Sequence, residues 1–166
     1  MFKVDDYIFY GSGGICRVDA VCEEPFDGAP KGVCYYVLHT VSEPKQVIWN
    51  PVANDKVLMR PVLTREEAMT LLDRLADLSP LEGEGAKALR EQYITAIKSG
   101  LPDAWGRVLI TVCLRERAAA AKLTRVTEAE HGFFDNARRL LGAEIALAEG
   151  CPLSEAEQMI SARLPK

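Results

Sequence analysis

The closely spaced glycines of Gly11-Ser12-Gly13-Gly14 are the first residues of this chain that could do chemistry, because such a loop lets backbone amides approach an anion. The loop lacks the Lys-Ser/Thr pair of a phosphate-binding motif and leads into a strand-like run. It therefore reads as a tight turn that needs positive φ between two strands. Nucleophilic catalysis needs a nucleophile beside a base, and acid–base work needs carboxylates at working distance. Neither has a recognisable local pattern here. The acids gather mainly at helix starts, where caps and the helix dipole account for them. The five cysteines, Cys16, Cys22, Cys34, Cys113 and Cys151, are odd in number and include no C-x-x-C pair. His39 and His131 have no metal-ligand spacing to any of them. The residues thus predict free thiols, no metal, no cofactor and no enzymatic activity.

Binding chemistry is more legible than catalysis. The 20 basic and 24 acidic residues give a net charge of −4, so the chain as a whole has no polyanion-binding signature. Residues 107–139 differ, with seven bases (Arg107, Arg115, Arg117, Lys122, Arg125, Arg138, Arg139) against four acids (Glu116, Glu128, Glu130, Asp135). That surplus would allow weak phosphate contact, and an exposed solvated helix face explains it equally well. Trp49 sits in the strand-like run QVIWN. With its ring exposed it would anchor a protein interface, and turned inward it would fill the sheet's core. Trp105 begins an apolar helical stripe and is expected in the core.

The elements that must position these residues follow from periodicity. The composition, 48% apolar and 27% charged, is that of a folding chain. No apolar run approaches the roughly 20 residues that cross a bilayer. The start MFKVDDYIF carries acids where a signal peptide needs a basic flank, so a cytoplasmic protein without membrane association is expected, with a monomer favoured. The apolar period changes near Arg60-Pro61, which predicts two domains, 1–60 and 61–166, in an α+β chain.

Before that point five runs read as strands of a small barrel: Asp6–Tyr10, Ile15–Glu23, Val33–Val41, Gln46–Asn50 and Val57–Met59. In the second, Cys16, Val18, Ala20 and Cys22 alternate with Arg17 and Asp19, which predicts that both thiols face the core. After Pro61 about five helices are expected. Capping boxes at Thr64/Glu67, Thr127/Glu130 and Ser154/Glu157 mark three starts. Two more helices span roughly Glu84–Ser99 and Asp103–Leu123. The latter carries an apolar stripe of Trp105, Val108, Leu109 and Val112, widened by Ile110 and Leu114. Arg107, Thr111 and Arg115 remain as a narrow polar edge, so this helix should be central and mostly buried.

Several segments together resemble the CarD/CdnL transcription regulators, especially the shorter clostridial forms. They are the opening FKVDDYIFYGSGGICRVDAV, the strand ending in Asn50-Pro51, VLMRPVLTREEA, the IKSG helix end and ARRLLGAEIALAEG. The resemblance covers nearly the whole chain and rests on the order and spacing of these segments. It implies an N-terminal Tudor- or SH3-like barrel that pairs a strand with the RNA polymerase β subunit, followed by an all-α domain lying over promoter DNA. The family's polymerase-contacting positions fall near Glu24, Pro25 and Trp49. Family members often carry basic side chains at two of these, where this chain has an acid and an indole. The tryptophan that many members wedge into the minor groove has no counterpart between Ser79 and Arg90, so that mechanism does not carry over. The late basic, DNA-facing position aligns with His131, which also reads simply as an exposed residue in the first turn of a helix.

The resemblance thus implies a regulator whose helical domain touches promoter phosphates, largely without sequence selectivity, through Arg90, Lys122, Arg125, His131 and Arg138. The net charge and the missing wedge leave open a protein–protein adaptor that binds polymerase or another partner without contacting DNA.

Overall fold

The computed structural model describes residues 1–11 and 13–166. Ser12, in the middle of the glycine-rich loop, lies outside the described residues. The chain divides into two compact units, Met1–Val62 and Leu63–Lys166.

The first unit is one antiparallel sheet of five strands: β1 (Tyr7–Tyr10), β2 (Gly14–Glu23), β3 (Cys34–Thr40), β4 (Val47–Pro51) and β5 (Met59–Pro61). Their order is β4-β3-β2-β1-β5, so β4 and β5 are edges and the described strands form an open sheet. Runs rich in Val, Ile, Tyr and Phe make these strands because β-branched and aromatic side chains fit a half-buried pleat. β5 begins later than its apolar run suggests. Among the described residues it pairs only with β1, through Met59, Arg60 and Pro61, while Leu58 continues the pairing by accepting from the Gly11 amide at 2.9 Å. A proline is tolerable there because an edge strand has one unpaired side. Around the described glycines, Tyr10 pairs with Gly14, whose φ of 74° is open to glycine without strain. A Cβ on Gly13 would meet Ile48 Cδ1 at 2.9 Å, so a side chain there would have to push the Ile48 methyl aside.

The sheet's core is built from Ile8, Tyr10, Cys16, Val18, Tyr36 and Leu38. The expected alternation along β2 holds only to Val18. There Val18 pairs with Leu38 but Ala20 with Val37, so Asp19 is an extra residue in a bulge. A one-residue insertion moves every later side chain to the other face. Val21 consequently packs against the core, and Cys22, expected inside, pairs with Tyr35 on the opposite face. Only Cys16 of the two thiols is a core residue, and burial pushes its pKa up to about 11.

The second unit contains five α-helices: α1 (Arg65–Arg74), α2 (Ala86–Lys98), α3 (Pro102–Ala121), α4 (Glu128–Glu149) and α5 (Leu153–Arg163). A 3-10 turn, Leu75–Asp77, follows α1. Thr64 and Glu67 form a complete capping box. Thr127 accepts from the Glu130 amide, but the Glu130 side chain does not return to the cap. The third expected box is absent. α5 starts from an extended Pro152, and Ser154 lies inside the helix. The helix begins at Leu153, one residue before Ser154, which leaves Ser154 no capping position. α3 is central as expected, with Trp105 fully buried and donating to the Ile97 carbonyl. Its buried stretch ends near Val112, and Leu114–Ala118 are exposed. No described helix is long and apolar enough to cross a membrane.

Candidate functional site

In the sheet unit the site grows from the register of β3 and β4. Leu38 and Tyr36, both core residues, pair with Ile48 and Asn50, while Val37 pairs with Trp49. Trp49 therefore points away from the core and is 46% exposed. The chain leaves β2 through Glu24, which holds a left-handed φ of 51°. That conformation costs a non-glycine residue about 1 kcal/mol. It turns Pro25 and Phe26 back over the sheet, and the Phe26 ring lies 5.4 Å from Trp49 and 5.6 Å from Tyr35. Phe26 is 37% exposed. Phe26, just beyond the Glu24-Pro25 turn, thus meets Trp49 and Tyr35, with Cys22 and Val37 on the same face.

Phe26 and Tyr35 are absent from the sequence reading of this site. The sequence signal was present in the adjacent pair Tyr35-Tyr36, since neighbouring strand residues face opposite sides and one must leave the core.

The backbone of β4 adds a second property. Val52 donates to the Cys34 carbonyl and Thr40 to the Gln46 carbonyl, which sets the alternation of bonded pairs along β3 and β4. Ile48 and Asn50 fall in the bonded pairs, and the N–H and C=O groups of Val47 and Trp49 point out from the free edge. Pro51 has no N–H, and its carbonyl accepts from Asn50 Nδ2 at 3.1 Å. Two outward amides and an exposed indole therefore occupy one short edge.

No protein-family model matches the chain. No curated protein matches it at a significant level.

In the helical unit the predicted phosphate contacts lie on different elements. Arg90 is exposed on α2, Lys122 ends α3, Arg125 is in the exposed segment before α4, and His131 and Arg138 are on α4. The α3–α4 turn gathers Lys122, Arg125 and His131 within ten residues of chain, and Arg90 belongs to another helix. The basic surplus of 107–139 is largely spent inside the unit. Arg107 donates to the Ser79 and Pro80 carbonyls, Arg115 to Glu130, Arg117 to the Lys166 carbonyl, Arg138 to Asp135 and Arg139 to Asn136. His131 pairs with Glu116 at 3.4 Å. Among the described residues, Lys122 and Arg125 are the bases of that segment left exposed with no such partner.

The polar edge of α3 is structural. Thr111 is buried and accepts from the Leu81 amide at 2.7 Å, and Arg107 holds the two carbonyls just before it. Arg115 reaches Glu130 with two bonds, and Tyr93 donates to the same carboxylate at 3.0 Å. Burial alone would raise the Glu130 pKa, but the bonds from Arg115 and Tyr93 overcome it and hold the carboxyl below its ordinary value. Burial, and then the Glu130 carboxylate, drives the Tyr93 phenol upward. A shallow groove between α1 and the start of α3 carries Glu66, Glu67, Arg74 and Asp103. Glu67 is committed to the capping box and Arg74 to Asp103 at 2.5 Å.

Proposed function

We propose that this chain is a non-enzymatic, cytoplasmic transcription regulator of the CarD/CdnL type. In this reading its Tudor- or SH3-like sheet unit docks on the RNA polymerase β subunit by adding a strand at β4. The helical unit approaches promoter DNA near the upstream edge of the bubble and modulates open-complex stability. One observation carries the docking: Trp49 stands exposed on an edge strand whose Val47 and Trp49 backbone groups point outward. Strand addition uses such backbone groups for affinity and neighbouring side chains for selectivity. Large aromatics at exposed positions are the residues that most often dominate interface energies. The identity of the partner rests on the sequence resemblance.

The test is retention of purified polymerase β subunit by the wild type and by Trp49→Ala. Loss of retention in the variant supports the reading, and equal retention overturns it.

A second reading is favoured by the internal pairing of Arg107, Arg115, Arg117, Arg138 and Arg139. It is an adaptor that binds polymerase or another protein and leaves DNA untouched. Under the first reading Lys122 and Arg125 supply the main phosphate contacts, with Arg90, His131 and Arg138 peripheral to them. Titration of the full chain with upstream-fork DNA at low salt separates the two, because the adaptor gives no binding.

A further inference from the structure

The docking face carries a charge pattern of its own, and the partner's chemistry can be read from it. Residues 19–27 contain Asp19, Glu23, Glu24 and Asp27 and no lysine or arginine. Asp19 is already used, facing His39 and Arg17 in the sheet. Glu23 pairs with Cys34 on the side of the sheet opposite Trp49, whereas Glu24 and Asp27 are exposed with no ion-pair partner among the described residues. They flank Phe26, the residue in contact with the Trp49 ring. Arg17, on the same side of the sheet, is neutralised by Asp5 at 2.9 Å and Asp19 at 3.5 Å. The next bases along the chain from Phe26 and Trp49, Lys31 and Lys45, lie in exposed loops outside the strands.

An exposed indole beside uncompensated carboxylates suits a planar cation. Tryptophan is the best aromatic partner for a guanidinium, and a carboxylate takes the same guanidinium through two parallel bonds. An acidic segment would instead meet like charge, which costs affinity at an interface.

We propose that the segment docking on β4 is an extended strand bearing an arginine or lysine, whose cation lies on the Trp49 ring and pairs with Glu24. The proposal rests on the strand-addition reading above and adds the chemistry of the partner to it. The positive charge at this contact is then carried by the partner, the reverse of what the basic side chains common in the resembling family would give.

The experiment measures affinity of the full chain for purified polymerase β subunit, comparing wild type, Glu24→Gln, Glu24→Lys and Trp49→Ala. Neutralising one exposed pair should weaken binding about 2- to 5-fold, in keeping with the modest strength of surface ion pairs. Charge reversal should weaken it further, and Trp49→Ala most of all. If wild type binds and Glu24→Lys binds equally or more tightly, the basic-strand proposal is overturned and the docking reading stands. If wild type does not bind the β subunit, the polymerase assignment is overturned. The partner chemistry is then decided with three synthetic strands that differ only in a central Arg, Gln or Glu, followed by the NMR signal of the Trp49 indole. A Trp49 shift strongest for the Arg strand supports the proposal, whereas equal shifts, a stronger Glu response or no response overturn it.

Discussion

Arg115, just past the buried stretch of α3, donates two hydrogen bonds to Glu130 in the first turn of α4, at 2.6 and 3.1 Å. Tyr93 of α2 donates to the same carboxylate, so one acid joins three helices. Glu130→Gln keeps the shape and removes the charge. About 1–2 kcal/mol of stability should be lost at neutral pH, because a charge-assisted bond becomes neutral while Arg115 can still find water. The folded pKa of Glu130 is depressed, so its contribution is complete above the ordinary value of 4.5 and is lost as pH falls through the lower folded value. Urea titrations of both proteins should therefore differ at pH 7 and converge on acidification. A gap that stays constant with pH would contradict this.

Tyr93→Phe should cost about 0.5–1.5 kcal/mol, the net worth of one buried hydrogen bond. It should also raise the Glu130 pKa, since the phenol is one of the donors that lower it. NMR titration of the Glu130 carboxyl in the variant reads this directly, and an unchanged midpoint would remove Tyr93 from the network.

Two glycines in helices should respond in opposite directions. A Cβ on Gly106 would meet Leu78 Cδ1 at 2.6 Å and Leu75 Cδ1 at 3.0 Å, whereas one on Gly132 meets nothing within 4 Å. Gly132→Ala should stabilise by about 0.5–1 kcal/mol through helix propensity. Gly106→Ala should destabilise by about 1–3 kcal/mol despite the same propensity gain, because overpacking outweighs it. Thermal unfolding of the two variants checks the sign of each.

If the helical unit meets DNA, Lys122 and Arg125 should supply most of the phosphate contact. Two phosphates give a slope of log affinity against log salt of about −1.8. The double substitution Lys122→Ala and Arg125→Ala should flatten that slope towards zero. Affinity that persists without salt dependence would end the DNA half of the reading.

Much of the architecture could be read from periodicity. The alternating runs became five strands, and the 3.6-residue stripe of Trp105, Val108, Leu109 and Val112 became the buried face of α3. What escaped were long-range facts. Asp19 looks like one more alternating residue until its partner strand reveals the bulge, which is why Cys22 was expected inside. Glu130 matches a capping box, and only the folded chain reveals that Arg115 and Tyr93 draw it away from the cap. The bases of 107–139 look like a patch in sequence, but their partners at Ser79, Pro80 and Lys166 are remote along the chain. For Trp49 the sequence left both faces open, because the outward direction depends on which β4 residues pair with the core positions of β3.

Trp49 is too exposed to hold the sheet together, so Trp49→Ala should change stability by no more than about 1 kcal/mol while removing the docking. Unfolding curves of the two proteins should nearly coincide. A large loss of stability would make Trp49 a packing residue and not an anchor.

Amide hydrogen exchange at Val47 and Trp49, with and without the polymerase β subunit, asks most directly whether a foreign strand adds to β4. Their amides point out from the free edge, so they should exchange quickly in the free protein and slow by at least about tenfold in the complex, with Ile48 and Asn50 little changed. Unchanged exchange at Val47 and Trp49 under saturating β subunit would contradict the account.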